Sequence, residues 1–286
     1  MSIAQCAILF PLVFLQGCSS EAKLTLKFSA IPNIDAKLLK FEYQPVATFL
    51  SEKLGIPVEY VPAADYQASV AMFVNDEIQF AWFGGLTGVQ ARDRVKGANA
   101  IAKGQMDANY KTYFIAPKGT PLTTSDKFPM AAKDKRLTFG NKGSTSGRLM
   151  PEFFIRKNTD LAPNDFFAEV GFSGSHSNTI KQVVDGGWDL GAVDFAEYED
   201  HIAKGELKAE DCPIIWETPT YADYNFTTRP DLDEKYGAGF TERLTKALLK
   251  LDEEMCARFR RKKMIPAANS DFQGIVDVAR QLDLLR

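Results

Sequence analysis

Strand-like and helix-like patterns of apolar residues take turns along this chain. Residues 24–30 alternate apolar and polar positions, as a half-buried strand does. Residues 41–54 carry apolar side chains at helical spacing and end at Gly55, a common helix stop. A strand at 57–61 follows, and Asp65 is placed to cap the next helix. This order, with short connections, predicts an α/β protein with a mostly parallel sheet that helices cover on both faces.

The same alternation runs through the rest of the chain and is interrupted once, by the turn-rich residues 117–133. We predict further strands at 78–83, 98–105, 111–116, 136–140, 167–172, 190–193, 213–216 and 224–228. We predict further helices at 85–95, 145–156, 178–185, 195–204, 240–255 and 272–284. Two α/β units separated by a turn-rich link indicate two lobes.

The terminal helices are expected to return to the first lobe, so that the chain crosses between lobes near 115–119 and 217–224. The first lobe would then comprise residues 24–117 and 220–286, and the second lobe residues 118–219. Ligands bind in such folds at the carboxyl ends of strands, where helix N-termini point.

The first residues are typical of a targeting signal rather than of a folded domain. Residues 7–15 form an apolar run of signal-peptide length, too short to span a bilayer. They lead into Leu15-Gln16-Gly17-Cys18, which resembles the lipobox of bacterial lipoproteins. We therefore predict a signal peptide at 1–17, a lipid-modified Cys18 and a linker to residue 23. The protein would work outside the cytoplasmic membrane and touch it only through this anchor. The alternative is a buried first strand or helix that ends in Gly-Cys.

Composition removes several classes of function. The 34 basic and 37 acidic residues give a net charge of −3, which disfavours a nucleic-acid partner. Two histidines and four scattered cysteines exclude zinc fingers and iron–sulfur patterns, and we expect neither metal nor cofactor. Cys212 and Cys256 would remain after processing, either as a disulfide or as two buried thiols. Five of the six residues 258–263 are basic, which indicates either a docking surface or a solvated helix face.

The strongest chemical signal is the segment from Gly140 to Gly147, which follows a predicted strand and opens a helix. A helix N-terminus has unpaired N–H groups and a partial positive charge. Ser144, Thr145 and Ser146 add three hydroxyls to it, a combination that suits a small tetrahedral oxyanion. The spacing is neither that of a Walker A loop nor that of a nucleophile elbow. Pro151 removes one donor, so we expect a tight first turn. The alternative is an ordinary serine cap.

Three further groups stand at ends of predicted strands or starts of helices. His176 lies in a Gly/Ser-rich turn and could donate to an oxyanion, with a bound anion favouring the protonated ring; alternatively it is a cap or loop residue. Tyr66 opens a helix and could direct its phenol into a cleft. Trp82 and Phe83 precede Gly84, where aromatic rings could form the wall of a pocket.

Taken together, these motifs resemble the periplasmic phosphonate- and phosphite-binding proteins of ABC importers. The resemblance covers about residues 24–226. It rests on the segments FSAIP at 28–32, YQP at 43–45, DY at 65–66, AWFG at 81–84, GSTSGRLMP at 143–151, HSNT at 176–179 and GAVD at 191–194. It implies a type II periplasmic-binding fold that clamps a ligand between two lobes, with an ABC permease as partner.

The resemblance also implies roles for individual residues. The second lobe would hold the oxyanion through Ser144, Thr145, Ser146 and His176, and the first lobe through Tyr66. Two further residues, Tyr110 and Asp223, fall on ligand-wall positions.

One difference between this chain and some members of the family bears on which ligand it prefers. Relatives that bind aminoalkylphosphonates place a carboxylate near the ammonium, whereas Ala196 stands there in this chain, with Glu197 next to it. This favours phosphite, hypophosphite or methylphosphonate, with Asp223 accepting a P–OH proton. A receptor for phosphate or aminoalkylphosphonates, and a sensing subunit, are the alternatives. An enzyme built on Ser144 or Ser146 with His176 and Asp223 is disfavoured, because no strained elbow holds the serine.

Overall fold

Eleven strands and eleven α-helices form the part of the chain that the computed structural model describes, residues 24–33 and 36–285. The predicted signal peptide and Cys18 lie outside these residues. The strands are β1 Leu26–Ala30, β2 Val58–Tyr60, β3 Phe80–Phe83, β4 Asn99–Gly104, β5 Thr112–Ile115, β6 Arg136–Phe139, β7 Glu169–Phe172, β8 Leu190–Asp194, β9 Ile214–Glu217, β10 Asn225–Thr228 and β11 Met264–Pro266. The helices are α1 Ala36–Leu54, α2 Tyr66–Val74, α3 Gly85–Arg94, α4 Met150–Thr159, α5 Pro163–Phe166, α6 His176–Val184, α7 Phe195–Ala203, α8 Leu232–Tyr236, α9 Phe240–Leu249, α10 Glu253–Arg258 and α11 Gln273–Gln281.

The strands form two sheets, one for each lobe. Lobe 1 has six strands in the order β11-β4-β10-β3-β1-β2, and lobe 2 has five in the order β7-β6-β8-β5-β9. Both sheets are mixed. In lobe 1, β1 runs parallel to β2 and β3, while β10 runs antiparallel to β3 and β4. In lobe 2, β6 runs parallel to β7 and β8, while β5 runs antiparallel to β8 and β9. The prediction of a mostly parallel sheet is therefore wrong. The first strand after each lobe crossing, β5 in lobe 2 and β10 in lobe 1, runs antiparallel to both of its neighbours.

The first crossing comes earlier than we predicted. Strand β5 pairs with β8 and β9 in lobe 2, so the chain leaves lobe 1 between residues 104 and 112 rather than at 115–119. The apolar sequence of β5 suits the interior of either sheet, and only its pairing partners reveal which one it joins. The return crossing lies between β9 and β10, and α9, α10 and α11 pack on helices of lobe 1.

The two crossings are bonded to each other along their length. Tyr110 and Tyr221 exchange two backbone hydrogen bonds, at 2.8 and 2.9 Å. The Asp223 N–H donates to the Asp107 carbonyl, and the Thr218 N–H donates to the Thr112 carbonyl, both at 3.0 Å. We call residues 105–112 and 218–224 the hinge ribbon.

The buried apolar residues form one large cluster that runs from lobe 1 into lobe 2 and a smaller cluster within lobe 2, and the two remaining thiols are divided between them. Cys256 lies in the large cluster, on the lobe 1 side, and Cys212 lies in the smaller one, both fully buried. Neither cysteine forms a disulfide within the described residues, so the structure favours buried thiols over a bridge. Across the same residues, no helix is both long and apolar enough to cross a membrane.

Candidate ligand-binding site

The segment after β6 begins with a widened turn. Residues Thr145–Leu149 form a π-helical turn in which the Leu149 N–H donates to the Ser144 carbonyl at 3.0 Å. The expected tight turn is therefore wrong, since each ring spans one residue more than in an α-helix. Pro151 lies just beyond the turn, where α4 begins, and has no N–H to place. Widened turns of this kind are frequent at functional sites.

Ser144 caps this turn and meets His176. Its Oγ accepts a hydrogen bond from the Gly147 N–H at 2.9 Å and lies 3.4 Å from His176 Nε2. A Cβ on Gly147 would stand 2.9 Å from both His176 Cε1 and Ser144 Oγ. Glycine is required here because the turn packs directly against the imidazole.

His176 is a buried hydrogen-bond donor rather than a loop residue. It is the first residue of α6, which Ser175 caps, and only 1% of it is exposed. The Asp194 N–H donates to its Nδ1 at 3.3 Å. Because Nδ1 accepts this bond, Nε2–H is the donor available near Ser144. The effect of a bound anion on this ring stays a prediction.

Three of the buried polar atoms that have no hydrogen-bond partner among the described residues belong to predicted site residues of lobe 1 and the hinge ribbon. They are the hydroxyls of Tyr66 and Tyr110 and the Oδ2 atom of Asp223. Tyr66 opens α2, which Asp65 caps through a 2.7 Å bond from the Ala68 N–H. Burial raises the pKa of both tyrosines well above the usual range, so both hydroxyls keep their protons. Buried polar groups are rarely left unpaired, and three at one site indicate a polar ligand.

The N-terminus of α3 joins this group to lobe 2. The Gly85 N–H donates to Asp223 Oδ1 at 2.8 Å, and the Leu86 N–H donates to Thr145 Oγ1 at 2.9 Å. A Cβ on Gly84 would lie 3.3 Å from Thr145 Oγ1 and 3.4 Å from Asp223 Oδ1. Glycine at this cap thus lets the two lobes approach closely.

Asp223 is poised to exchange a proton. Burial raises its pKa to about 7, although hydrogen bonds from Gly85 and Thr145 lower it. Near neutral pH the carboxyl group is divided between its acid and carboxylate forms. It can therefore either donate to a fully ionised oxyanion or accept from a P–OH group.

The remaining predicted residues are buried nearby in other roles. Thr112 Oγ1 donates to the Ser146 carbonyl at 2.7 Å, and Ser146 is almost fully buried. Trp82 stacks on Tyr224 with ring centres 5.6 Å apart. Phe83 packs edge-on against Phe73 in the core of lobe 1, at 5.6 Å. We thus find the two aromatic residues in the packing of lobe 1, where sequence analysis expected a pocket wall.

Comparisons with known proteins identify the family of the chain. Residues 28–272 match the family model described as "ABC transporter, phosphonate, periplasmic substrate-binding protein". The chain belongs to this family. The resemblance drawn from the motifs is thereby confirmed.

Individual relatives extend the match over nearly the whole chain. A probable ABC transporter phosphite binding protein of Prochlorococcus marinus, PhnD1, is 32% identical over 96% of this chain and 95% of its own length. The solved structure of PhnD1 with methylphosphonate matches 91% of this chain and 98% of its own, with a TM-score of 0.86. A binding protein component of an ABC phosphonate transporter from Pseudomonas aeruginosa, 20% identical, matches with a TM-score of 0.77 over 90% of this chain and 85% of its own. The type II periplasmic-binding fold is confirmed.

Sequence analysis did not list Asp194 as a site residue, yet it contacts several residues on the lobe 2 side of the candidate site. Its Oδ1 accepts from the Glu197 N–H at 2.7 Å and caps α7, while its Oδ2 accepts from the Tyr224 hydroxyl at 2.9 Å. The same Oδ2 lies 3.8 Å from His176 Nε2. The Asp-x-x-Glu spacing at 194–197 was an available signal for a helix cap, but it says nothing about Tyr224 or His176.

Glu197 does not stand free beside the ligand position. It is 2% exposed, and its Oε1 lies 2.8 Å from Ser177 Oγ and 3.2 Å from His201 Nε2. Its Oε2 lies 2.9 Å from Arg260 Nε. The carboxylate next to Ala196 is therefore already engaged by three side chains.

The basic run 258–263 is neither wholly solvated nor wholly a docking surface. Arg261 is 4% exposed and forms a bidentate pair with the buried Asp107, at 2.6 and 2.7 Å. Its guanidinium lies 5.1 Å from the ring centre of Tyr110 and 4.8 Å from that of Tyr224. The positive charge nearest these site tyrosines thus comes from a segment that sequence analysis placed outside.

Proposed function

We propose that the chain is the extracytoplasmic substrate-binding component of an ABC importer for a small phosphorus oxyanion, with phosphite or methylphosphonate as the preferred ligand. One observation carries the proposal: Tyr66, Tyr110 and Asp223 aim unpartnered polar atoms at a site that Ser144 and Thr145 face from the other lobe. Two donors and a proton-sharing carboxyl suit a tetrahedral anion. The names of the Prochlorococcus relative and of its methylphosphonate complex support the same ligand class.

The surroundings of the fourth substituent favour a small apolar group. Phe195 and Tyr224 pack around Tyr110 with ring centres 4.7 and 5.5 Å away. Ala196 offers no charge, and Glu197 is held by Arg260, Ser177 and His201. An ammonium group on the ligand would therefore lack a free carboxylate.

Hydrogen bonding also argues for binding rather than catalysis. A serine nucleophile needs a histidine that accepts its proton. The Nδ1 atom of His176 is occupied by the Asp194 N–H, so Nε2 carries the proton and faces Ser144 as a donor. We propose a receptor role without hydrolytic chemistry.

We predict that phosphite and methylphosphonate bind at least about tenfold tighter than phosphate, which corresponds to about 1.4 kcal/mol. Phosphate places a fourth oxygen among aromatic rings, and burying it unpaired costs about 1–3 kcal/mol. 2-Aminoethylphosphonate should bind weakly for want of a carboxylate partner. Isothermal calorimetry with these four ligands measures the order.

Sulfate serves as the control anion because it brings no proton for Asp223. Phosphate binding as tightly as phosphite would contradict the assignment and favour a general phosphate receptor. A sensing subunit would give the same calorimetry, so loss of phosphite uptake on deletion of the gene separates transport from sensing.

We also propose that Cys18 anchors the mature protein through a lipid. The apolar run at 7–15 and the lipobox-like segment support this. We predict that wild-type protein stays with the membrane fraction and that Cys18→Ala releases it to the soluble fraction. Immunoblots of the two fractions measure this, with Cys212→Ala as the matched control. Equal partition of both variants would contradict the anchor.

A further inference from the structure

Arg260 reaches from one lobe to the other. It lies in the lobe 1 segment between α10 and β11, and its side chain extends to α7 of lobe 2. Its Nε stands 2.9 Å from Glu197 Oε2 and 3.1 Å from Asp200 Oδ2. The other charged groups beside these carboxylates, His201 and Lys204, belong to α7 and its C-terminal cap in lobe 2. Arg260 is therefore a cationic link that depends on the lobes being together.

The backbone at Arg260 follows from the way α10 ends. The Arg260 N–H donates to the Ala257 carbonyl at 2.8 Å and the Arg261 N–H donates to the Cys256 carbonyl at 3.0 Å, which forms a Schellman turn with Arg260 at its left-handed position, φ 56°. This turn directs the two side chains apart, with Arg261 turned inward to Asp107 and Arg260 turned out to Glu197.

Glu197, the carboxylate that pairs with Arg260, is connected to the candidate ligand site through Asp194. Glu197 is almost completely buried, so its charge requires a partner in the closed form. Its backbone N–H donates to Asp194, and Asp194 in turn contacts His176 and Tyr224. When the lobes separate, Glu197 keeps Ser177 and His201 and gains water, whereas Arg260 loses its partners.

We propose that Arg260 is a positioning residue of the ligand site that stabilises the closed form through Glu197 and Asp200 and so sets how long the ligand stays bound. It acts without touching the ligand. The inference rests on the proposed function only for the choice of phosphite as a probe.

Arg260→Gln tests this, because it keeps a residue with a Cβ at the left-handed position of the turn and removes the charge. The matched control is Arg258→Gln, whose guanidinium pairs with Glu42 and Glu254, both in lobe 1. We expect Arg260→Gln to raise the phosphite dissociation rate about tenfold, with little change in the association rate. Arg258→Gln should match wild type. The affinity order of phosphite, methylphosphonate and phosphate should not change, because Arg260 contacts none of them.

A ligand-free measurement separates this inference from the proposed function. Spin-label distances between the lobes should show fewer closed molecules in Arg260→Gln than in wild type, whichever anion binds. Arg260→Lys keeps the charge, so its fraction of closed molecules should be close to that of wild type. This variant keeps the proposal testable if Arg260→Gln folds poorly. Glu197→Gln should reproduce the faster release, and the double variant should be no worse than either single one. Unchanged dissociation and interlobe distances in Arg260→Gln, or additive effects in the double variant, would overturn the proposal.

Discussion

Phosphite affinity should fall as pH rises above about 7, by up to about tenfold for each pH unit. The buried Oδ2 of Asp223 has no partner among the described residues and must share one proton with the bound oxyanion. Below pH 7 either group supplies it. A second phosphoryl proton is lost near pH 6 in phosphoserine, so above pH 7 both groups are ionised and the proton must come from solution.

The same carboxyl group should also make the stability of the unliganded protein depend on pH. Burial raises the pKa of Asp223 above that of an unfolded aspartate. Without ligand, Asp223 therefore adds to the free energy of unfolding below pH 4, and this contribution is lost as pH rises through about 7. The unliganded protein should therefore lose stability mainly between pH 4 and 7, below the range in which its phosphite affinity falls.

Asp223→Asn should flatten the affinity profile above pH 7, because an amide can donate to a fully ionised oxyanion without taking up a proton. At pH 6 the variant should bind more weakly than wild type. Calorimetry from pH 5.5 to 9 measures both, with the exposed Asp277→Asn as control. A variant that retains the wild-type slope would show that Asp223 does not share the ligand's proton.

Thr145→Val should weaken phosphite binding by about 100- to 1,000-fold. The change keeps the shape of the side chain and removes a hydroxyl that accepts from the Leu86 N–H of the other lobe. A hydrogen bond to the anion is worth about 1.5–3 kcal/mol, and an unpaired buried N–H costs about 1–3 kcal/mol. Both losses fall on the closed, ligand-bound form, since water can bond the N–H when the lobes are apart.

Thr145→Ser is the matched control, because it keeps the hydroxyl and should bind within about tenfold of wild type. Thermal unfolding without ligand should be similar in both variants. Calorimetry provides the affinities. Wild-type affinity in Thr145→Val would mean that this hydroxyl contributes neither to the anion nor to lobe closure.

Local features were predictable because their causes lie within a few residues. Asp65, Ser144 and Ser175 each cap the helix or turn that follows, through a side chain that accepts from an N–H three positions on. The clustering of donors at residues 144–146 and at His176 followed from the same rule. These short-range signals identified most of the residues near the site.

Long-range pairing was not predictable from pattern. The burial of Arg260 and Arg261 depends on carboxylates at Glu197 and Asp107, which lie far away in sequence. Asp194 entered the sequence analysis only within the GAVD segment, which says nothing about its contacts with Tyr224 and His176.

The hinge ribbon has a mechanical consequence. A ribbon of two hydrogen-bonded segments can bend, but its hydrogen bonds resist the sliding of one segment along the other. We therefore expect the two lobes to rotate about a single hinge axis. Tyr110 and Asp223 lie in the ribbon itself, and we expect them to move less on bending than Ala64 and Asn178, which line a cleft between the two lobes. Dyes attached to these two exposed residues should therefore report lobe closure as a large optical change, even when the ligand is only a few atoms across.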